Sequence, residues 1–219
     1  MYTHVDIAGN TIALPAGKVV CVGRNYLDHI AELNNPVPDQ ALLFIKPSTA
    51  LCHVTQPLVL PVGLGSCHNE LEITVLIKNK LTKADPAAIQ SGIWGYGLAL
   101  DLTLRDVQDS LKAKGQPWER AKAFDLSCPV SGFVHKKHIA DPQALNFSLQ
   151  VNGQVRQQGN SGLMLRHINA LIAEISAHFT LLPGDLVLTG TPKGVGPLHS
   201  GDKLDVELLG YFNLETRVS

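Results

Sequence analysis

The chain has 219 residues, 45% of them hydrophobic and 17% charged, a globular balance that excludes a disordered chain. Lys and Arg total 18 against 19 Asp and Glu, so the net charge of -1 lacks the positive surplus on which nucleic-acid binding rests. No apolar run approaches the ~20 residues of a membrane span, and MYTHVDIAGN has neither the basic region nor the apolar core of a signal peptide.

Taken in chain order, Lys18–Val22 reads as a buried strand ending at Gly23. Asn25 is placed to cap a short helix carrying Leu27, Ile30 and Leu33, stopped by Asn34, Asn35 and Pro36. Ala41–Ile45 and Glu70–Lys78 are strands, and Asp85-Pro86 reads as the N-cap and first residue of a helix. Gly97–Leu102 is an apolar strand, and a helix follows from Thr103 to about Lys114, ended by Gly115. Asn152-Gly153 joins Phe147–Val151 to Gln154–Gln158 as a hairpin. Ser161 is placed to cap the longest helix, Leu163–Phe179. Strands at Leu186–Thr189 and Lys203–Leu209 complete the count. Without regular βαβ alternation, a doubly wound parallel sheet is excluded in favour of a β-rich α+β fold, one domain over residues 1–219. Cys21, Cys52, Cys67 and Cys128 contain no CxxC and read as reduced thiols of a cytoplasmic protein.

No GxGxxG, GxxxxGK[ST], HExxH or GxSxG is present. The run TGTPKGVG at 189–196 has a phosphate-loop look but lacks the Lys-Ser/Thr step into a helix, so a nucleotide-binding protein is the weaker class. Glu70 and Glu72, two apart in HNELEITVLIK, share one face of a strand. Neighbouring carboxylates need a cation or a shared proton, and a hard divalent metal is the natural cation. Taken alone, the pair is better explained as a solvated strand face. Asp101, set between Leu100 and Leu102, is costly to bury unless it is paired, metal-bound or capping the next helix. Three such carboxylates with open coordination positions suit a metal acting on a chelating substrate.

Cations accompany them. Lys46 ends an apolar strand, Arg105 and Gln108 share a helix face, and Lys122 follows a Pro-Trp turn. A lysine among apolar neighbours either holds an anion or extends to solvent. His29 and Glu32, three apart on the first helix, make either a carboxylate-oriented base or an exposed pair. Their flanks would let residues 24–40 hinge as a lid.

These stretches together resemble the fumarylacetoacetate hydrolase family. The resemblance is carried by VGRNYLDHIAEL, LFIKPSTAL, HNELEITVLI, GYGLALDLTLRDVQ, GQPWERAKAFDLSCPVSG, VNGQVRQQGN and LTGTPKGVGPL, in family order from about residue 18 to 200. Lacking the extra N-terminal domain of true fumarylacetoacetases, the chain is similar to the small acylpyruvase and oxaloacetate decarboxylase branch. The resemblance implies a β-rich roll with few short helices, a homodimer, and one Mg²⁺ or Mn²⁺ bound by Glu70, Glu72 and Asp101. It implies that Lys122 stabilises an enolate and that His29 and Glu32 form the lid dyad. Arg24, Lys46, Arg105, Gln108 and Thr191 match pocket positions. The activity implied is hydrolysis of a C–C bond in a small acylpyruvate or fumarylpyruvate. Oxaloacetate decarboxylation and keto–enol tautomerisation are alternatives on the same site, and a non-catalytic metal-binding dimer is a competing class.

Overall fold

The computed structural model describes residues 2–219. In chain order the elements are β1 (Val19–Gly23), α1 (Leu27–Glu32), β2 (Leu42–Lys46), β3 (Leu51–His53), β4 (Cys67–Asn69), β5 (Leu71–Ile77), α2 (Pro86–Gly92), β6 (Ile93–Leu100), β7 (Thr103–Leu104), α3 (Arg105–Ala113), α4 (Glu119–Lys122), β8 (Cys128–Val130), β9 (Val134–His135), β10 (Asn146–Val151), β11 (Gln154–Asn160), α5 (Ile168–His178), β12 (Leu186–Leu188), β13 (Gly196–Pro197), β14 (Lys203–Leu208) and β15 (Phe212–Arg217). The expected β-rich α+β architecture is what forms.

The main sheet runs β2-β1-β12-β5-β6-β8-β3, with β9 added to β6. Among the described residues, only β1 with β12 and β3 with β8 pair in parallel in that sheet. A second sheet runs β11-β10-β14-β15, and a small third runs β13-β4-β7. The central strand β5 is buried at every position. Its Leu71, Ile73, Val75 and Ile77 join the larger core with α5 and the second sheet, while Leu76 turns to a smaller core with Val19, Cys21, Ala99 and Leu188. Glu70 and Glu72 have the parity of Leu76, so they project on the side of that smaller core. Among the described residues no helix is long and apolar enough to cross a membrane.

Local signals hold where the chemistry is local. Asp85 accepts from Ala88 N at 2.8 Å, with Pro86 in the first turn. Asn152 and Gly153 both take positive φ, 53° and 76°, as a two-residue hairpin loop requires. Two caps are corrected by longer-range contacts. Tyr26, not Asn25, occupies the N-cap of α1. The Asn25 amide instead donates to Arg166 O (3.0 Å) and Thr189 O (2.8 Å) and accepts from Arg166 N (2.8 Å). Ser161 begins a single 3₁₀ turn, and its hydroxyl serves Leu145 N and Pro142 O, so α5 starts only at Ile168. Thr103 and Leu104 pair with β4 rather than opening α3, because their backbone is claimed by strand partners before Arg105. No disulfide forms among the described residues, and Cys21, Cys67 and Cys128 are buried.

Candidate active site

Register assembles the carboxylates. In the antiparallel pair, Leu71 faces Leu100 and Glu72 faces Ala99. Continuing that register sets Glu70 opposite Asp101, and Asp101 N donates to Glu70 O at 2.8 Å. Directly opposed residues share a sheet face, so all three side chains project together. Glu70, Glu72 and Asp101 are all buried, and each offers an oxygen within 4.8 Å of the others.

Three cations surround them. Lys122 Nζ lies 2.7 Å from Glu70 Oε2 and 2.6 Å from Asp101 Oδ2. Arg105 Nη2 lies 2.5 Å from Glu70 Oε1, and its Nη1 donates to Gln108 Oε1 at 2.6 Å. Lys46 Nζ lies 2.8 Å from Asp101 Oδ1, outside hydrogen-bond alignment, and donates to Lys122 O and to Ser127 O and Oγ. Among the described residues none of these cations pairs with Glu72, which accepts from Gly190 N at 2.6 Å.

The electrostatics follow that pattern. Burial would raise the Glu70 carboxyl, but Lys122, Arg105 and His29 outweigh it and hold it below the usual carboxylate range. Burial, then Asp101 and Glu70, push Glu72 well up. Burial opposes the charge on Lys122, and Asp101 and Glu70 more than restore it, so its ammonium is held above the ordinary lysine value. A cluster of hard oxygens, with one carboxylate lacking a cation and one Asp101 oxygen lacking a hydrogen bond, fits a divalent metal.

Above the cluster sits α1. His29 Nδ1 is 3.2 Å from Glu32 Oε2, and Glu32 Oε1 accepts from Gly194 N at 2.9 Å. Burial pushes the His29 imidazole down, against Glu70 and Glu32, which act to raise it. The glycine-rich 189–196 run thus turns its N–H groups to carboxylates: Gly190 to Glu72 and Gly194 to Glu32. That is the physical reason for its phosphate-loop look.

Arg24, His29, Arg105, Gln108, Lys122 and Thr191 line one pocket with the three carboxylates. Lys46 is fully buried behind Asp101, where it supports the cluster from beneath. Glu32 reaches the pocket through His29. Sequence reasoning did not single out Phe44, Trp118 or Lys112, which also line the pocket, nor Ser127 and Gln157 behind it. The Trp118 of the Pro-Trp turn was the available signal, since an aromatic beside a cationic segment marks a wall. Backbone donors such as Gly190 N carry no side-chain signature.

Residues 18–219 match the family described as Fumarylacetoacetate (FAA) hydrolase C-terminal. This chain belongs to that family. It is 53% identical to an oxaloacetate tautomerase of Escherichia coli K12 over 219 residues, all of both chains. It is 43% identical to the mitochondrial oxaloacetate tautomerase of Homo sapiens over 201 residues, 92% of this chain and 91% of the relative. A fumarylacetoacetate hydrolase family protein from Yersinia pestis shares the fold at a TM-score of 0.98 and 49% identity, with both chains fully covered. A fumarylpyruvate hydrolase from Pseudomonas aeruginosa, solved with Mn²⁺ and pyruvate, matches at a TM-score of 0.91 and 33% identity, covering 98% of this chain and 94% of its own.

Proposed function

We propose that this chain interconverts the keto and enol forms of oxaloacetate, with a divalent metal held by Glu70, Glu72 and Asp101. One observation carries the reading. In a chain 53% identical end to end to an oxaloacetate tautomerase, a carboxylate-backed imidazole and a buried three-carboxylate cluster face the same pocket. When bound there, Mg²⁺ or Mn²⁺ supplies a Lewis acid for the 1-carboxylate and 2-oxo group of the substrate.

The chain's own groups do the rest. Glu32 accepts the Nδ1 proton of His29 and so leaves Nε2 as the free acceptor. Nε2 takes the proton from C3 as the C3–H bond breaks. The electron pair moves to the C2 oxygen, and the Lys122 ammonium meets the charge that develops there. Returning the proton to oxygen gives the enol, and the reverse order gives the ketone. Arg24 and Arg105 hold the carboxylates, while Gln108 orients Arg105 and Thr191 closes one wall. Lys46 fixes Asp101 and the backbone of Lys122 from behind.

The pocket measures only about 30 Å³, against the roughly 300 Å³ at the lower end of small-molecule sites. Substrate entry therefore needs α1 to move, which supports residues 24–40 as a lid. A homodimer is the assembly implied by the family. Sedimentation equilibrium checks it, with twice the mass of a single chain as the expected result.

Enol oxaloacetate is added to protein with Mn²⁺ or Mg²⁺, and loss of enol absorbance is followed against a metal-only blank. Acceleration over the blank without pyruvate release supports tautomerisation. A rate equal to the blank overturns it. His29→Ala is expected to lower the catalysed rate about 100-fold or more, the ordinary share of a positioned base. The same assay checks this, and an unchanged rate would remove His29 from the base role.

The second reading is C–C hydrolysis of an acylpyruvate, favoured by the likeness to the Pseudomonas aeruginosa fumarylpyruvate hydrolase. There His29 would draw a proton from water, and the water would attack the distal carbonyl and leave a pyruvate enolate. Proton NMR on acetylpyruvate separates the two, since hydrolysis yields acetate and pyruvate. Pyruvate from oxaloacetate faster than the blank would mark decarboxylation through the same enolate.

A further inference from the structure

We propose that Gln157 is a positioning residue that fixes the 190–194 turn so that Gly194 can dock the lid. Gln157 lies on β11, in the second sheet, and makes no contact with the His29–Glu32 pair itself. It is 1% exposed, and its amide is fully used. Oε1 accepts from Asn69 Nδ2 and Leu71 N, both at 2.8 Å. Nε2 donates to Thr191 Oγ1 at 2.8 Å and to Pro192 O at 3.0 Å. One side chain thus ties the residues on either side of Glu70 to the turn that follows Gly190.

Three further contacts make that turn a receiver for the lid. Asn69 Nδ2 also reaches Gly194 O at 3.3 Å, so the side chain bonded to Gln157 holds the same peptide stretch. Gly194 has φ +98°, and a Cβ there would meet Arg156 O at 1.9 Å and Gln157 Cγ at 3.2 Å. The turn therefore lies directly on β11 beside Gln157, in a conformation open to glycine. From that position Gly194 N donates to Glu32 Oε1, while the other Glu32 oxygen meets His29 Nδ1. The path runs from Gln157 through the turn to Glu32 and His29. A buried amide satisfied four ways is costly to unmake and holds its neighbours in a single arrangement. Gln157 therefore favours the closed lid, with the imidazole directed at the carboxylate cluster.

This inference rests on reading His29 and Glu32 as the base pair, and its test has a readout that needs no turnover. In Gln157→Leu, amides of residues 27–35 are expected to exchange with deuterium about 10-fold faster than in the parent, while β12 and β5 beyond Leu71, whose own N–H loses the Gln157 acceptor, keep their protection. Lid exchange equal to the parent's would overturn the proposal, and so would loss of protection spread evenly over β5 and β12. Asn69→Ala is the second variant, expected to move the lid in the same direction should Gln157→Leu fold poorly. In the oxaloacetate assay, Gln157→Leu is expected to lower kcat about 10- to 100-fold, the scale of a misplaced catalytic group. In a Glu32→Ala background, the same change is expected to cost less than about 2-fold more, because the acceptor served by Gly194 is already gone. Equal losses in both backgrounds would show that Gln157 acts elsewhere. A parent without oxaloacetate turnover but with lid exchange that responds to Gln157→Leu would sink the proposed function and leave the docking intact.

Discussion

Glu72→Ala is expected to abolish metal-dependent turnover, by at least about 1000-fold, while leaving the metal-free protein folded and close to its parent in stability. Glu72 is buried beside Glu70 and Asp101, and burial and both neighbours push its carboxyl up. Lys122 and Arg105 pair with Glu70, Lys122 and Lys46 with Asp101, and among the described residues Glu72 has only Gly190 N. Its removal takes out a buried acid whose charged form burial and both neighbouring carboxylates disfavour. Against that gain, Gly190 N loses its acceptor, a cost of about 1–3 kcal/mol. The two effects oppose each other, so the metal-free melting temperature should change by only a few degrees. The response to metal should change far more. A site saturated 100-fold over its Kd adds about 2.7 kcal/mol, or roughly 5–11 °C for a chain of this size. Glu72→Ala should lose that gain. Thermal melts with EDTA and with MnCl₂, run beside the oxaloacetate assay, check both arms. A full Mn²⁺-induced rise in the variant would remove Glu72 from the ligand set.

The sequence makes some of this site legible and hides the rest for identifiable reasons. Glu70 and Glu72 are readable because the period of a strand is two and their neighbours are apolar. The place of Asp101 beside them is set by the β5–β6 register, across a connection that contains α2, and strand pairing at that range has no local signature. Family resemblance supplied that step. Caps depart from the sequence pattern where a polar side chain has a better partner far along the chain. Asn25 serves Arg166 and Thr189, and Ser161 serves Leu145. The same holds for Lys46, which the sequence marks as a cation ending a strand but which lies behind the carboxylates rather than on the pocket wall. Gly190, Gly194 and Gln157 act through backbone N–H groups or a neutral amide, so neither charge nor hydropathy patterning points to them. The hairpin strands β10 and β11 are legible because their turn, Asn152-Gly153, is a local device.

Lys122→Met is expected to give the opposite stability pattern. Methionine keeps most of the stem volume beside Phe44, whose ring centroid is 5.2 Å from Lys122 Nζ, so packing is largely preserved. What is lost is the charge held 2.7 Å from Glu70 and 2.6 Å from Asp101. Both carboxylates are buried, and leaving a buried charge wholly uncompensated costs about 3–5 kcal/mol; here Arg105 still meets Glu70 and Lys46 still meets Asp101, which holds the cost to about 3 kcal/mol, the lower end. For a chain of this length that is a fall in melting temperature of roughly 6–12 °C in EDTA. A divalent cation restores positive charge to the same carboxylates, so Mn²⁺ should raise the variant's melting temperature more than it raises the parent's. Turnover should remain about 100- to 1000-fold down even when metal is saturating, since the ammonium that meets the developing enolate charge is gone. The two variants therefore separate the two kinds of cation at the site. Glu72→Ala stays stable and stops responding to Mn²⁺, whereas Lys122→Met becomes fragile and responds more strongly. Equal Mn²⁺ responses in the parent and in Lys122→Met would mean that Lys122 is not the countercharge of the metal-free cluster.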